Sequence, residues 1–284
     1  MLMQIGRASA GIDLTGFWLV LVLCAPLAAS GEIPESPRNL VDSSLEFRLE
    51  AVSRELLGRP YRFSPLGEER APDTDPLMRL DAFDCTTYVE TVLALALVRE
   101  PARQQEMLTR IRYEGGRIAF DSRRHLPVFQ WLRGLRELGL LRDITKEIGG
   151  KDTRSVHAEI SPAIWRSRSW RILKDLPETA VPSAEVDLPY LPLDTVALRL
   201  RGLQESALLS VVHERHEGIP LWISHQALLI PGPGDELRVR HARSDGEGVV
   251  VEENVERFLN RLRRAKYWPV LGVNVADILN PAID

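Results

Sequence analysis

Three residues of this chain combine a reactive side chain with a telling position: Cys85, His225 and His241. Cys85 lies in "FDCTTYVE", beside an aspartate and two threonines and just ahead of the apolar run "TVLALALVRE". The chain holds two cysteines, and the other, Cys24, sits in an N-terminal apolar stretch. Once that stretch is removed, Cys85 is left without a disulfide partner in its own chain. An unpaired cysteine is either a buried hydrophobe or a reactive group. As a nucleophile it must become a thiolate, and a free thiol is mostly protonated at neutral pH. The N-terminus of the apolar helix supplies one aid. Asp84, the expected N-cap of that helix, works against it with its charge. A neighbouring imidazole is the stronger device.

Two strands offer such imidazoles. In "LWISHQALLI", His225 alternates in phase with Leu221, Ile223, Ala227 and Leu229; in "ELRVRHARS", His241 alternates with Leu237 and Val239. Both therefore point to an apolar face. The "PGPGD" turn joins the strands as a hairpin and puts both rings on one face. A helix bearing Cys85 at its tip, packed on that face, would bring the thiol to His225, with His241 orienting the base through its second nitrogen. Packing alone remains the bland reading of a cysteine at a helix start. Zinc is the rival use of Cys and His, but no CxxC or HxxxH spacing occurs. His213 and His216 read as solvated residues at a strand end, and His125 and His157 fall in loop-like segments.

The elements that must position these groups follow from periodicity. "SSLEFRLEAVSRELLG" spaces Leu45, Leu49, Val52 and Leu56 on one helix face and ends at Gly58. "CTTYVETVLALALVRE" is apolar almost all round and belongs in the middle of a domain. "RIRYEGGRIAF" predicts a hairpin about Gly115 and Gly116, and "LPVFQWLRGLRELGLL" a helix. Residues 150–195 predict an irregular insertion with short strands around "SVHAEISP". "ALLSVVHER", "PLWISHQALLI", "ELRVRHARS", "GVVVEE" and "YWPVLGVNV" predict strands, with a helix at "NVERFLNRLRR". Helices first and an antiparallel sheet afterwards make the fold class α+β.

Of 284 residues, 44% are hydrophobic and 27% charged, and the formal net charge is −4. No basic footprint for nucleic acid is present. "FWLVLVLCAPLAAS", behind Arg7, reads as a signal peptide spanning 1–30, cleaved near Ala29 to Gly31; an uncleaved anchor is the other reading. Leu23 argues against lipid attachment at Cys24. A linker at 31–43 and one catalytic domain at 44–284, with an irregular insertion around 102–195, complete the expected organisation. The mature chain is expected to be exported to the periplasm or beyond, monomeric, and without a stable membrane span.

The stretches "LGRPYRFSPLGE" and "FDCTTYVE" are similar to the opening of the NlpC-type papain-like cell-wall peptidases and amidases. Together with "IRYEGG", "DSRRH", "LPYLPLDT", "WISHQALL" and "HARSDGEGVVVEE", they resemble one branch, the N-acetylmuramoyl-L-alanine amidase-like family. The likeness spreads over about 44 to 275. It implies a papain-like core, with the nucleophile on Cys85, the base on His225 and the third polar position on His241. It places Tyr61 in the pocket beside the cysteine and implies a substrate-facing loop at Ser122, Arg123 and His125. Asp84 and Arg112 join this expected substrate-binding set, Arg112 as a partner for stem-peptide carboxylates. One departure is that Gln226 and Ala227 follow the base, where members carry small residues such as Val-Gly. The implied reaction is hydrolysis of the amide joining N-acetylmuramic acid to L-alanine in peptidoglycan or muropeptides, with no metal or cofactor. A D-glutamyl-diamino acid endopeptidase or a silent cell-wall binding module are the alternatives.

Overall fold

The computed structural model describes residues 43–66, 77–167, 175–216, 221–234 and 236–280. The expected signal peptide and the linker up to residue 42 lie outside the described residues. Among those described, no helix is long and apolar enough to cross a membrane.

Ser44 caps α1 (Leu45–Glu55) by accepting from the Phe47 N–H at 3.2 Å. Leu49, Val52 and Leu56 turn inward at the spacing the sequence sets. Next, α2 (Cys85–Leu97) is apolar round nearly its whole circumference and is buried accordingly. Pro101 opens α3 (Pro101–Arg112), where its missing N–H costs nothing. A wide helical turn at Pro127–Leu132 leads into α4 (Arg133–Glu137), and β1 (Leu141–Asp143) and α5 (Thr145–Gly149) follow. Then come β2 (Arg154–Ile160), α6 (Pro162–Ser167), β3 (Ala184–Pro192) and α7 (Val196–Arg199). The last third supplies β4 (Ala207–His213), β5 (Ile223–Pro231), β6 (Leu237–Ala242), β7 (Val250–Asn254), α8 (Val255–Leu262) and β8 (Val270–Ile278).

The strands form one antiparallel sheet in the order β2-β3-β8-β4-β5-β6-β7, with β1 also paired to β8. The α+β class therefore holds. Two local expectations do not. "RIRYEGGRIAF" is not a hairpin: Met107, Leu108 and Ile111 recur at helical spacing and bury along α3, which runs to Arg112. Gly115 and Gly116, both at positive φ, turn the chain away after that helix. Nor is 150–195 irregular throughout, because β2 and β3 pair over seven residues and β3 joins β8 at the sheet's centre.

Alternation along the strands divides the sheet into two faces. Leu208, Val212, Leu228, Ala242 and Val250 pack in one cluster with Val89, Val92 and Leu93 of α2. Leu209, Val211, Ala227, Leu229 and Val239 pack in another with Phe258 and Leu259 of α8. Neighbours on β6 show the division. Arg240 donates to Ser53 Oγ of α1 at 2.7 Å, whereas the ring of His241 lies 5.4 Å from that of Phe258. His225 shares the second face, 6.3 Å from Phe258. The expectation that the Cys85 helix packs on the histidine face is thus corrected. The helix covers the opposite face, and α8 covers the histidines.

Candidate active site

Cys85 is the first residue of α2, and the local sequence explains why the helix starts there. Asp84 accepts from the Thr87 N–H at 2.8 Å while the Asp84 N–H donates to Thr87 Oγ1 at 2.9 Å, a reciprocal cap. The N-cap expected of Asp84 is present, and its carboxylate caps the helix. Thr87 Oγ1 donates to the same carboxylate at 2.8 Å.

The tip of α2 meets β5 at Gln226, the residue after His225. The Gln226 backbone N–H lies close enough to Cys85 Sγ to favour its thiolate. A bulge shapes this spot: Val211 pairs with His225 but Val212 pairs with Ile223, so Ser224 is an extra residue in β5. Pairing between β5 and β6 runs from Leu228 to Pro231 and stops before the histidine. The sulfur therefore approaches the sheet from one face at the strand end that carries His225 on the other.

The imidazoles form a chain. His225 Nε2 lies 2.9 Å from His241 Nδ1, and His241 Nε2 lies 2.9 Å from Oε1 of Glu253 on β7. Arg261 of α8 closes it, its Nη1 at 2.6 Å from the same carboxylate oxygen. Among the described residues no hydrogen bond joins Cys85 to His225. His241 lies against His225 as expected, while Glu253 escaped the sequence reading. Its signal was there: Glu253 alternates with Val251, the residue opposite His241 in the register.

Electrostatics keep the pair neutral. Burial, then the Asp84 charge, push the Cys85 thiol up to about 12, against the pull of the Gln226 amide and the Thr86 hydroxyl and amide. Burial, then His241, Arg261 and His213, hold His225 well below the usual imidazole range. His241 is lowered by burial, which the Glu253 hydrogen bond opposes. Glu253 is itself pushed up by burial, but His241 and Arg261 bring it below the ordinary carboxylate value. A resting thiolate–imidazolium pair does not fit these directions. Tyr61 stands beside the site: burial and the Cys85 and Asp84 charges raise its phenol. It is also tied to both site loops, through a bridge to Phe83 and its N–H donating to Gly248 O at 2.6 Å.

The rest of the expected substrate set is placed differently. Arg112 is 1% exposed and donates from Nε to Glu90 at 2.8 Å, with Trp131 Nε1 on the other oxygen at 2.9 Å. It is a core residue, because α3 turns it onto α2, and it offers no charge to a peptide. Ser122 Oγ donates to Ala119 O at 2.9 Å, and Arg123, 4% exposed, lies over the Tyr113 ring at 5.6 Å. His125 packs on Phe120 and meets its carbonyl at 2.7 Å. Ser122 lines a cleft of about 450 Å³ with Arg117, Arg124, Arg133 and Glu137, to which Cys85, His225 and His241 do not contribute. His213, expected in solvent, is 5% exposed, because Trp268 stacks on it at 4.0 Å.

Known proteins share this architecture. A Legionella pneumophila protein superposes with a TM-score of 0.71 at 26% identity, over 85% of this chain and 91% of its own. A Bacteroides uniformis N-acetylmuramoyl-L-alanine amidase gives 0.62 at 21% identity, over 83% and 99%, a likeness of fold. A Bacteroides fragilis protein described as a putative xylanase gives 0.59 at 25% identity, over 80% and 100%. No curated protein matches the chain. The family described as AmiA-like, N-acetylmuramoyl-L-alanine amidase-like, matches residues 51–265, and this chain belongs to it.

Proposed function

We propose that the protein is a cysteine amidase that hydrolyses the amide between N-acetylmuramic acid and L-alanine in peptidoglycan or its muropeptides. The observation that carries this reading is the hydrogen bond between His225 Nε2 and His241 Nδ1, on the strand whose Gln226 amide meets the sulfur of Cys85 at a helix tip. It commits one ring nitrogen of His225 to the orienting residue and leaves Nδ1 for proton transfer. A thiol on a helix, with the base and orienter on successive strands, is the order of papain-like hydrolases, and membership of an amidase-like family supports the substrate class.

The resting pair is neutral and not hydrogen-bonded, so on this reading the Cys85 side chain swings past the bulged end of β5 to reach His225, and the thiol loses its proton to Nδ1 as Sγ attacks the lactyl carbonyl carbon. The carbonyl electron pair moves to oxygen. First-turn amides of α2, including that of Cys85, face no acceptor within the helix and are suited to hold the oxyanion. Collapse breaks the carbon–nitrogen bond, and His225 returns the proton to the leaving L-alanine nitrogen. Water then attacks the thioester, gives its proton to His225, and the thiol leaves reprotonated. Export through the N-terminal apolar stretch would put the enzyme where such substrates are.

Incubation with a defined disaccharide peptide tests the reading through the appearance of a new amino terminus. Wild-type protein should expose L-alanine, and Cys85→Ser should not. Equal release by Cys85→Ser would remove the cysteine from the mechanism.

A further inference from the structure

We infer that Glu253 is a positioning residue that fixes the tautomer of His225 through His241. Glu253 and His241 are 3% and 0% exposed at their side chains, so water does not scramble the protons between them. An ionised carboxylate only accepts hydrogen bonds. At 2.9 Å, Oε1 therefore requires a proton on His241 Nε2. A neutral His241 then presents a bare Nδ1, and the 2.9 Å contact requires a proton on His225 Nε2. His225 is left with its lone pair on Nδ1. One buried carboxylate, two residues removed from the reaction, makes the base a base.

Arg261 sets the terms of the competition. Its Nη2 lies 3.2 Å from the same His241 Nε2 and can only donate. If it won, Nε2 would be bare, the Glu253 and His241 lone pairs would face each other at 2.9 Å, and every proton in the chain would reverse. His225 Nδ1 would then carry a proton. The carboxylate prevails by its shorter contact and by holding Arg261 Nη1 at 2.6 Å. Among the described residues Arg257 also stands near it, its Nε 3.6 Å from the other carboxylate oxygen, and the Arg243 charge acts on His241. Since Arg261 already balances the charge of Glu253, the carboxylate acts chiefly as an oriented acceptor. Its signature is a change of tautomer.

The consequence for hydrolysis rests on the function proposed above, but the tautomer does not, so the two fail separately. Nitrogen-15 NMR of the imidazoles reads it directly. In wild-type protein His225 Nδ1 should be unprotonated and Nε2 protonated. Glu253→Ala leaves Arg261 as the partner of His241 Nε2 and should move the proton of His225 to Nδ1, with turnover falling by about 10²- to 10⁴-fold, the scale of a lost base. Removing the competing donor as well, in Glu253→Ala/Arg261→Ala, should restore the Nδ1 lone pair in part and raise turnover above that of the single variant. Glu253→Gln keeps an acceptor oxygen and should hold the wild-type tautomer. A protonated His225 Nδ1 in the wild type overturns the inference, whatever the variants do. So does a folded Glu253→Ala protein with the wild-type tautomer, or a double variant no better than the single one.

Discussion

His225 Nε2 and His241 Nδ1 lie 2.9 Å apart, with their ring planes 89° to each other. Both rings are held against Phe258, so the relation is one of fixed geometry rather than chance contact. The roles of the two histidines should be unequal. His225→Ala removes proton transfer in both half-reactions and should lower turnover by about 10²- to 10⁴-fold. His241→Asn keeps a hydrogen-bonding group beside His225 and should retain measurable activity. Steady-state kinetics on folded variants decide it; an equal loss in both would mean that the base role is shared.

The thiol gives a second prediction. The ion pair expected from the sequence would make Cys85 alkylate fast at mildly acid pH. With its thiol pushed up to about 12, iodoacetamide labelling should instead be slower than for a free thiol of ~8.5 and climb steadily into the alkaline range. Asp84→Asn removes one cause of the rise while keeping a good N-cap. Labelling at fixed pH should speed up with little change in melting temperature. Unchanged labelling would mean that Asp84 does not act on the sulfur.

Three histidines should make the fold acid-sensitive. Burial is the first cause that lowers His213, His225 and His241 from the ordinary value of 6.5. Below 6.5 the unfolded chain binds protons that the folded chain refuses, so stability is full above that pH and falls as pH drops through the lowered values. Chemical denaturation between pH 8 and 5 should show this decline, and His213→Gln should make it shallower. A flat profile over that range would contradict the burial argument.

Arg112 should matter for stability and not for binding. Its side chain and that of Glu90 are 1% and 4% exposed, and Trp131 shares the carboxylate. Arg112→Ala strands a buried carboxylate and should cost about 3–5 kcal/mol. Glu90→Gln/Arg112→Met, which removes both charges, should recover much of that. Denaturant midpoints measure both. A raised KM with unchanged stability would return Arg112 to the substrate.

What the sequence carried, and what it did not, follows from range. The phase of His241 with Val239, that of His225 with Ala227 and Leu229, and the cap at Asp84 are local, so periodicity and spacing sufficed; the bulge at Ser224 breaks the expected phase of His225 with Leu221 and Ile223, which pack in the other cluster. The side of the sheet that α2 covers depends on packing against Leu228 and Ala242, more than a hundred residues away, and no period encodes it. His213 read as solvated because its cover, Trp268, lies 55 residues further on. Gly115 and Gly116 looked like a hairpin turn because a helix end and a hairpin use the same positive-φ glycines. Glu253 was missed for another reason: an acid on a short strand ahead of a helix reads as solvent-facing until α8 is laid over it.

The most direct test of the proposed chemistry is mass spectrometry of the products from one defined muropeptide, a disaccharide bearing L-alanine, D-glutamate and a diamino acid. Amide hydrolysis by Cys85 predicts free disaccharide together with an intact peptide beginning at L-alanine, and neither product from Cys85→Ser. Release of an L-alanyl-D-glutamate fragment still attached to the sugar, or recovery of the substrate unchanged, would contradict it.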